Sequence, residues 1–406
     1  MHFLPIISTL RRHRTAAALI ILEIAFTCAI VCNAVFLIKE RLGRMDRESG
    51  IVEDEIVRVQ ITGIGTRSDA DAVTQQDLAA LHAIPGVKAV HVTNMVPFGQ
   101  SSSNTDASNK PDDAVGGVNV GMYMGGPEQV ETLGVQLTSG RDFTPEEYVD
   151  YDAMRSSAVK LGSVIVTRAL AERLYPGQNA VGKPIYMIGD APQTIVGVIE
   201  KIARPNEITE TAEAQYSALI PVNLPFTIGG NYMIRVEPGR QAEVLAAVDA
   251  AFNKVDRNRI VLHRDTFAKI RESYFRQDRA MAWLLFGVSL ALLVITALGV
   301  VGLASFWVQQ RTRQIGIRRA LGATKGDILR YFQAENFILA TIGIVIGMGL
   351  AYGINLWLMQ KYAVARLPGE FLPIGAVLLW SLGQIAVLGP AMRASAIPPA
   401  IATRSV

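Results

Sequence analysis

The sequence predicts an α-helical membrane protein: four transmembrane helices, with a large α+β domain inserted between the first and the second. Three observations carry that expectation. Four apolar runs, residues 15–38, 280–308, 337–359 and 371–390, are each long enough to cross a hydrocarbon core of about 30 Å. The segment between the first two, residues 39–279, alternates instead between period-two and helical spacing. The link between the second and third runs, residues 309–333, is strongly basic. Composition agrees: half of the 406 residues are apolar and 18% are charged, below the roughly 25% of soluble domains. Mean hydropathy is +0.27.

Residues 1–14 form a short cytoplasmic N-terminus carrying Arg11, Arg12 and Arg14. The apolar run after it exceeds the usual signal-peptide core of about 7–15 residues and lacks a small-residue cleavage site, so it is expected to stay as an anchor. Both cysteines, Cys28 and Cys32, lie one turn apart in this run. They are expected to be small packing residues. Glu23 is the one carboxylate deep in a span, about 12 Å in at 1.5 Å per residue. Membrane carboxylates are expensive, and Glu23 is read as a structural hydrogen bond within the bundle or across a dimer interface.

The external domain reads as an outer pair of units around an inserted middle. Residues 55–62 alternate as a half-buried strand, 74–84 have helical spacing, and 87–93 form a strand again. Near the other end, 232–236, 239–252 and 259–263 repeat strand, helix, strand. Two such units suggest a ferredoxin-like core. Within the insertion, residues 100–117 are polar and rich in glycine and serine, and are expected to be a mobile loop. Gly140 and Gly182 permit tight turns, and Pro176-Gly177 stops a helix. Residues 37–49 and 266–280 are expected to extend the first and second spans as a continuous helical stalk. His82, His91 and His263 lack ligand spacing and no cysteine accompanies them, so no metal site is assigned. No catalytic motif occurs, nothing suggests nucleic acid, and the net charge is only +3.

Residues 309–333, QQRTRQIGIRRALGATKGDILRYFQ, set Arg311, Arg313, Arg318, Arg319, Lys325 and Arg330 against one anion, Asp327. Two short helices around a break are expected. Gly322 suits the position just past a helix end, and Thr324 with Asp327 forms a helix-start signal. Residues 360–370 carry only Lys361 and Arg366, so the basic link is cytoplasmic, with both termini on the same side and the inserted domain outside. Anionic lipid headgroups are a second partner for such a link. In the third run Gly343 and Gly347, and then Gly349 and Gly353, place small residues one turn apart for close helix packing.

The motif IGIRRALGAT followed by DILRYFQAENF resembles the signature loop of the MacB/FtsX-like permeases of ABC transporters. The order of the GRDF turn, the strand and helix ending in YPGQ, the VGKPI turn and the TIVGVI strand resembles the MacB-like periplasmic core domain. Pro390, Ala391, Arg393, Ala394 and Pro398 resemble the family's tail. The resemblance implies that residues 309–333 carry a coupling loop that contacts an ATPase, through Ile315, Gly316, Arg318, Arg319, Leu321, Gly322, Ala323 and Asp327. It places residues 39–279 and 360–370 in the periplasm, and 391–406 in the cytoplasm as a tail. Glu335 is expected to pair with Arg318 or Arg319. The chain holds no phosphate-binding loop, so it is expected to be non-catalytic and without a cofactor. ATP is then bound by a separate ABC ATPase subunit, present in two copies.

The resemblance further implies a second permease, as homodimer or heterodimer. A periplasmic adaptor (membrane fusion protein) and an outer-membrane channel would complete an efflux path from a bacterial inner membrane. Two alternatives stand beside efflux: mechanotransmission to an external partner, as in FtsX-like proteins, and lipoprotein extraction. A membrane-anchored sensor without an ATPase is the reading from another class.

Overall fold

The computed structural model describes residues 14–64, 69–111, 117–156, 158–189, 191–205, 212–362 and 366–396. The chain divides into two compact units, one of residues Arg44–Gln277 and the other of the segments on either side of it. Arg11, Arg12, Pro398 and the rest of the tail beyond residue 396 lie outside the described residues.

The first helix, α1 (Arg14–Met45), opens the membrane unit. In the external unit follow β1 (Ile56–Gly63), α2 (Ala70–His82), β2 (Val87–Thr93), β3 (Asn104–Ala107), β4 (Val118–Gly125), α3 (Gln129–Leu133) and β5 (Leu137–Gly140). Next come β6 (Val149–Asp150), α4 (Tyr151–Arg155), β7 (Ser163–Thr167), α5 (Arg168–Leu174), β8 (Pro184–Ile185) and β9 (Gln193–Ile199). The unit ends with β10 (Ser217–Asn223), β11 (Asn231–Val236), α6 (Gln241–Val255), β12 (Arg259–Thr266) and α7 (Phe267–Tyr274). The remaining helices are α8 (Arg276–Gln310), α9 (Thr312–Ala320), α10 (Lys325–Tyr362) and α11 (Phe371–Ser395).

The sheet of the external unit runs β12-β1-β11-β2-β4-β10-β7-β9-β5. Its first four strands are antiparallel neighbours joined through α2 and α6, which is the ferredoxin-like arrangement expected from the two strand–helix–strand units. Val57, Val59 and Ile61 of β1 point to the helix side, where Val73, Leu81, Val244 and Val248 meet them. The inserted part extends the same sheet, but it joins through one residue pair, Thr93 with Gly125.

Two expectations for this unit are corrected. Residues 104–107, in the stretch read as a mobile loop, form β3 and pair with β4, because their backbone completes the ladder whatever the polar side chains do. The stalk is not one continuous helix into the second span. Helix α7 ends at Tyr274, and Phe275 (φ −88°, ψ 10°) separates it from α8. The Phe275 ring is buried 5.2 Å from that of Phe98 and 4.8 Å from that of Tyr274, and this packing overrides helix continuation. On the other side, α1 does run on past the apolar stretch, to Met45.

In the membrane unit α1, α8, α10 and α11 are each long and apolar enough to cross a membrane. Cys28 and Cys32 are fully buried, and their sulfurs lie 3.9 Å apart. A Cβ at Gly347 would stand 2.5 Å from Cys28 Cβ, and one at Gly343 would stand 2.9 Å from Ile24 Cβ, so this glycine pair lets α10 approach α1 closely. Gly349 and Gly353 do not take part. Nothing lies within 4 Å of a Cβ at either, because they face away from the other described helices. Glu23 lies over Gly299 of α8, its Oε2 only 2.6 Å from where a Cβ would be. The neighbouring hydrogen bond between these two helices joins Thr27 and Thr296 at 2.8 Å, and it does not involve Glu23.

Candidate functional site

Helix α8 gives way to α9 at Arg311, whose backbone (φ −103°, ψ 9°) leaves the helical region. The Arg311 side chain turns inward. Its Nη1 donates to both oxygens of Glu335, at 3.0 and 2.8 Å, and its guanidinium lies 5.5 Å from the Trp307 ring centroid. The side chains are 9% and 2% exposed, so this is a desolvated pair. Glu335 therefore pairs with Arg311, and not with Arg318 or Arg319 as expected. The reason is geometric: α9 points Arg318 and Arg319 past this turn of α10. Arg318 stacks on Tyr331 at 4.9 Å. Arg319 donates to the carbonyl oxygen of Ser395 at 2.7 Å, satisfying a group at the C-terminus of α11.

Alternation along α9 sorts its apolar residues onto two faces. Ile315 and Gly316 are buried, and Ile315 packs with Val308, Ile328, Phe332, Ala391 and Ala394. Both were expected at the ATPase contact; within the chain they are buried, and Ile315 packs α9 against α10 and α11. Ile317, 47% exposed, and Leu321, 83% exposed, stand four residues apart on the free side. Ile317 was not singled out from sequence: two residues after Ile315 it lies on the opposite face of a helix, but which face is buried is set by the packing of α9.

The turn after α9 is closed at both ends. Gly322 adopts φ +98°, its N–H donates to Arg319 O at 3.2 Å, and Ala323 N–H donates to Arg318 O at 3.0 Å. This is the Schellman pattern, and it confirms the role expected of Gly322. Thr324 N–H then donates to Asp327 Oδ2 at 2.9 Å, while Asp327 N–H donates to Thr324 Oγ1 at 3.2 Å. That reciprocal pair is the expected helix start. It does not open a second short helix, however: α10 runs without interruption from Lys325 into the third span.

The result is a rigid tip. Two bare aliphatic side chains, Ile317 and Leu321, stand at a capped turn, with exposed Arg313, Arg318, Lys325 and Arg330 around them. A large exposed leucine in a collar of cations suits a partner surface with an apolar socket and an acidic rim. Among the described residues no group of histidine, cysteine, aspartate or glutamate could hold a metal.

Four membrane-crossing helices with an α+β domain inserted after the first define the class: a polytopic permease with a large external domain. Residues 18–251 match the MacB-like periplasmic core domain, and residues 286–399 match the FtsX-like permease C-terminal domain. The chain belongs to this MacB/FtsX-like family of ABC transporter permeases. It is similar to the uncharacterized ABC transporter permease YknZ of Bacillus subtilis, 26% identical over 69% of this chain and 66% of that protein. It is also similar to the pyoverdine export ATP-binding/permease protein PvdT of Pseudomonas aeruginosa, 26% identical over 93% of this chain and 51% of that one. The macrolide export ATP-binding/permease protein MacB of Agrobacterium fabrum is 28% identical over 59% of this chain and 36% of its own length. The chain thus spans about half the length of the curated relatives it matches.

Proposed function

We propose that this chain is the permease subunit of a MacB-like ABC transporter in a bacterial inner membrane. A separate ATPase would dock on the tip formed by α9 and the turn after it, on the cytoplasmic side. Two permeases, identical or related, would each receive one ATPase subunit. ATP-driven approach of the ATPases pushes on the tip, and the buried face of α9 passes the displacement to α10 and α11. The external domain is then the output, expelling a periplasmic substrate toward an adaptor and an outer-membrane channel.

The observation that carries this reading is the exposed Ile317–Leu321 pair on a doubly capped turn whose other face is fixed by Arg311, Ile315 and Arg319. A flexible basic loop would suit lipid headgroups equally well; a rigid one with bare aliphatic side chains suits a protein socket. The test is co-purification of the tagged full chain from its native membranes, with and without crosslinking. Wild type should bring an ABC ATPase with it, and Leu321→Asp should lose it while keeping its thermal stability. An ATPase absent from wild type, or retained at equal stoichiometry in Leu321→Asp, would overturn the assignment.

A further inference from the structure

The ferredoxin-like part of the sheet has a second face, opposite α2 and α6. On β1 it carries Ile56, Arg58 and Gln60. Register places Arg58 between Asp265 of β12 and Met233 of β11, and Gln60 between His263 and Asn231. Ile56 and Met233 are covered completely. The polar end is left open beneath a roof formed by residues 96–101 and α7, and a cavity of about 530 Å³ lies there.

The roof is held in a strained conformation. Phe98 is a non-glycine residue at φ 57°, yet it is 1% exposed. Such a backbone costs on the order of 1–3 kcal/mol and persists only where its surroundings over-determine it. Here the ring lies 6.1, 5.4 and 5.2 Å from those of Phe267, Tyr274 and Phe275. The guanidinium groups of Arg271 and Arg47 lie over it at 5.1 and 5.6 Å. Gly99 N–H closes the turn onto Val96 O at 2.8 Å.

Charge in the cavity is unbalanced. Arg58, Lys269 and Arg276 line it, with Asp265 as the one carboxylate among the lining residues. Asp265 accepts from Arg58 Nη2 at 3.0 Å and from Lys269 Nζ at 2.8 Å, so two cations share one anion. Arg58 is 13% exposed, and its Nε is buried with no hydrogen-bond partner among the described residues. Leu262, 49% exposed, and Val96 supply an apolar wall beside these cations.

We infer that this cleft binds an amphipathic anion, a carboxylate or phosphate carried on an apolar body. The anionic group offsets the surplus positive charge of Arg58, Lys269 and Arg276 that line the cleft, and charge-assisted bonds in a sheltered site are the strong ones. The apolar body lies against Leu262 and Val96. The volume falls in the range of about 300–1,000 Å³ typical of small-molecule sites. A free solute and a lipid headgroup share this chemistry. The proposal does not depend on transport, because binding is read directly.

The experiment uses the full chain in nanodiscs of neutral lipid, with hexyl phosphate as the probe and hydrogen exchange as the readout. Saturable protection of peptides covering 96–101 and 267–274 is expected, and hexanol and hexyltrimethylammonium should give none. Lys269→Gln, at a side chain 68% exposed and so safe for folding, should weaken the probe by about fivefold or more. Arg58→Gln should weaken it further, and Lys201→Gln, away from the cleft, should leave it unchanged. Protection of the same peptides by anionic lipid in the nanodisc assigns the ligand to the membrane, and its absence assigns a free solute. No protection by hexyl phosphate, equal protection by hexanol, or full affinity in Lys269→Gln would overturn the site.

Discussion

Each unit of the molecule buries an arginine–carboxylate pair, and the two are built differently. In the external unit Asp77 accepts from Arg259 at 2.5 Å and from the Tyr232 hydroxyl at 2.7 Å. Arg259 also donates to the carbonyls of Asp256 and Phe252 and lies 5.0 Å over the Phe252 ring. This network ties α2, α6, β11 and β12 together. In the membrane unit, among the described residues, Arg311 and Glu335 have each other and the Trp307 ring. The first pair is cross-braced into a core. The second is a single joint at a helix break.

Removing one partner should expose that difference. Asp77→Ala leaves Arg259 buried and uncompensated, and should cost about 3–5 kcal/mol. Hydrogen exchange across β1, β11 and β12 should rise together while the membrane helices keep their protection. Glu335→Leu should cost less, about 3 kcal/mol at the low end of the same range, and its exchange should rise only across α9. The double change Arg311→Met with Glu335→Leu should restore thermal stability, because an apolar pair of similar volume replaces a desolvated ionic one. Asp77→Leu with Arg259→Met should not, since the Tyr232 hydroxyl and two carbonyls lose their partners. Equal recovery in both doubles would break the comparison.

His91 gives the external unit a pH dependence of its own. It is fully buried, both ring nitrogens lack a partner among the described residues, and burial pushes its pKa down to about 3. The folded form therefore stays neutral where the unfolded chain, with a pKa near 6.5, takes up a proton. Stability is complete above pH 6.5 and is lost as pH falls toward 3. Between pH 6.5 and 5 the loss should be roughly 1.5–2 kcal/mol. Unfolding of the external unit followed by hydrogen exchange should show it in wild type and not in His91→Leu.

The smallest expected effect separates the two glycine pairs of α10. Gly347→Val must displace Cys28 and Ala25 of α1, and should cost about 1–3 kcal/mol. Gly353→Val meets nothing among the described residues and should leave the melting temperature unchanged. A change there confined to oligomeric state, read by crosslinking, would show that this face contacts a second permease.

The strands and helices of the ferredoxin-like part were legible because their apolar residues alternate cleanly. Residues 87–93 were read with the bounds that β2 has, and the helix expected at 239–252 is α6 at Gln241–Val255. Strand β3 was hidden, since Asn104 to Ala107 carry no apolar period and pair mainly through backbone. At the tip, Gly322, Thr324 and Asp327 were legible because caps are local chemistry. The Arg311–Glu335 pair was not, because it depends on how far α9 folds back over α10. Spacing of 24 residues with helix breaks between holds no such information. Which of the apolar residues of α9 are buried and which exposed depends on the same packing.

The one-pair junction between β2 and β4 has a mechanical consequence. Beyond Thr93 and Gly125, one backbone bond, from Asn94 N–H to Met124 O at 3.4 Å, and several side chains stitch the two parts of the sheet. Asn94 accepts from Met124 N–H and donates to Met122 O, both at 3.0 Å, and Thr93 Oγ1 donates to Met124 O at 3.0 Å. Across β1 and β11, by contrast, five backbone pairs would have to shear together. Backbone rungs form whatever the sequence, whereas side-chain stitches depend on residue identity, so Thr93 and Asn94 supply the sequence-dependent hydrogen bonds of this seam. Apolar packing on both faces crosses the seam as well, so Asn94 tunes the stiffness with which the inserted plate follows the ferredoxin-like plate without being its sole support.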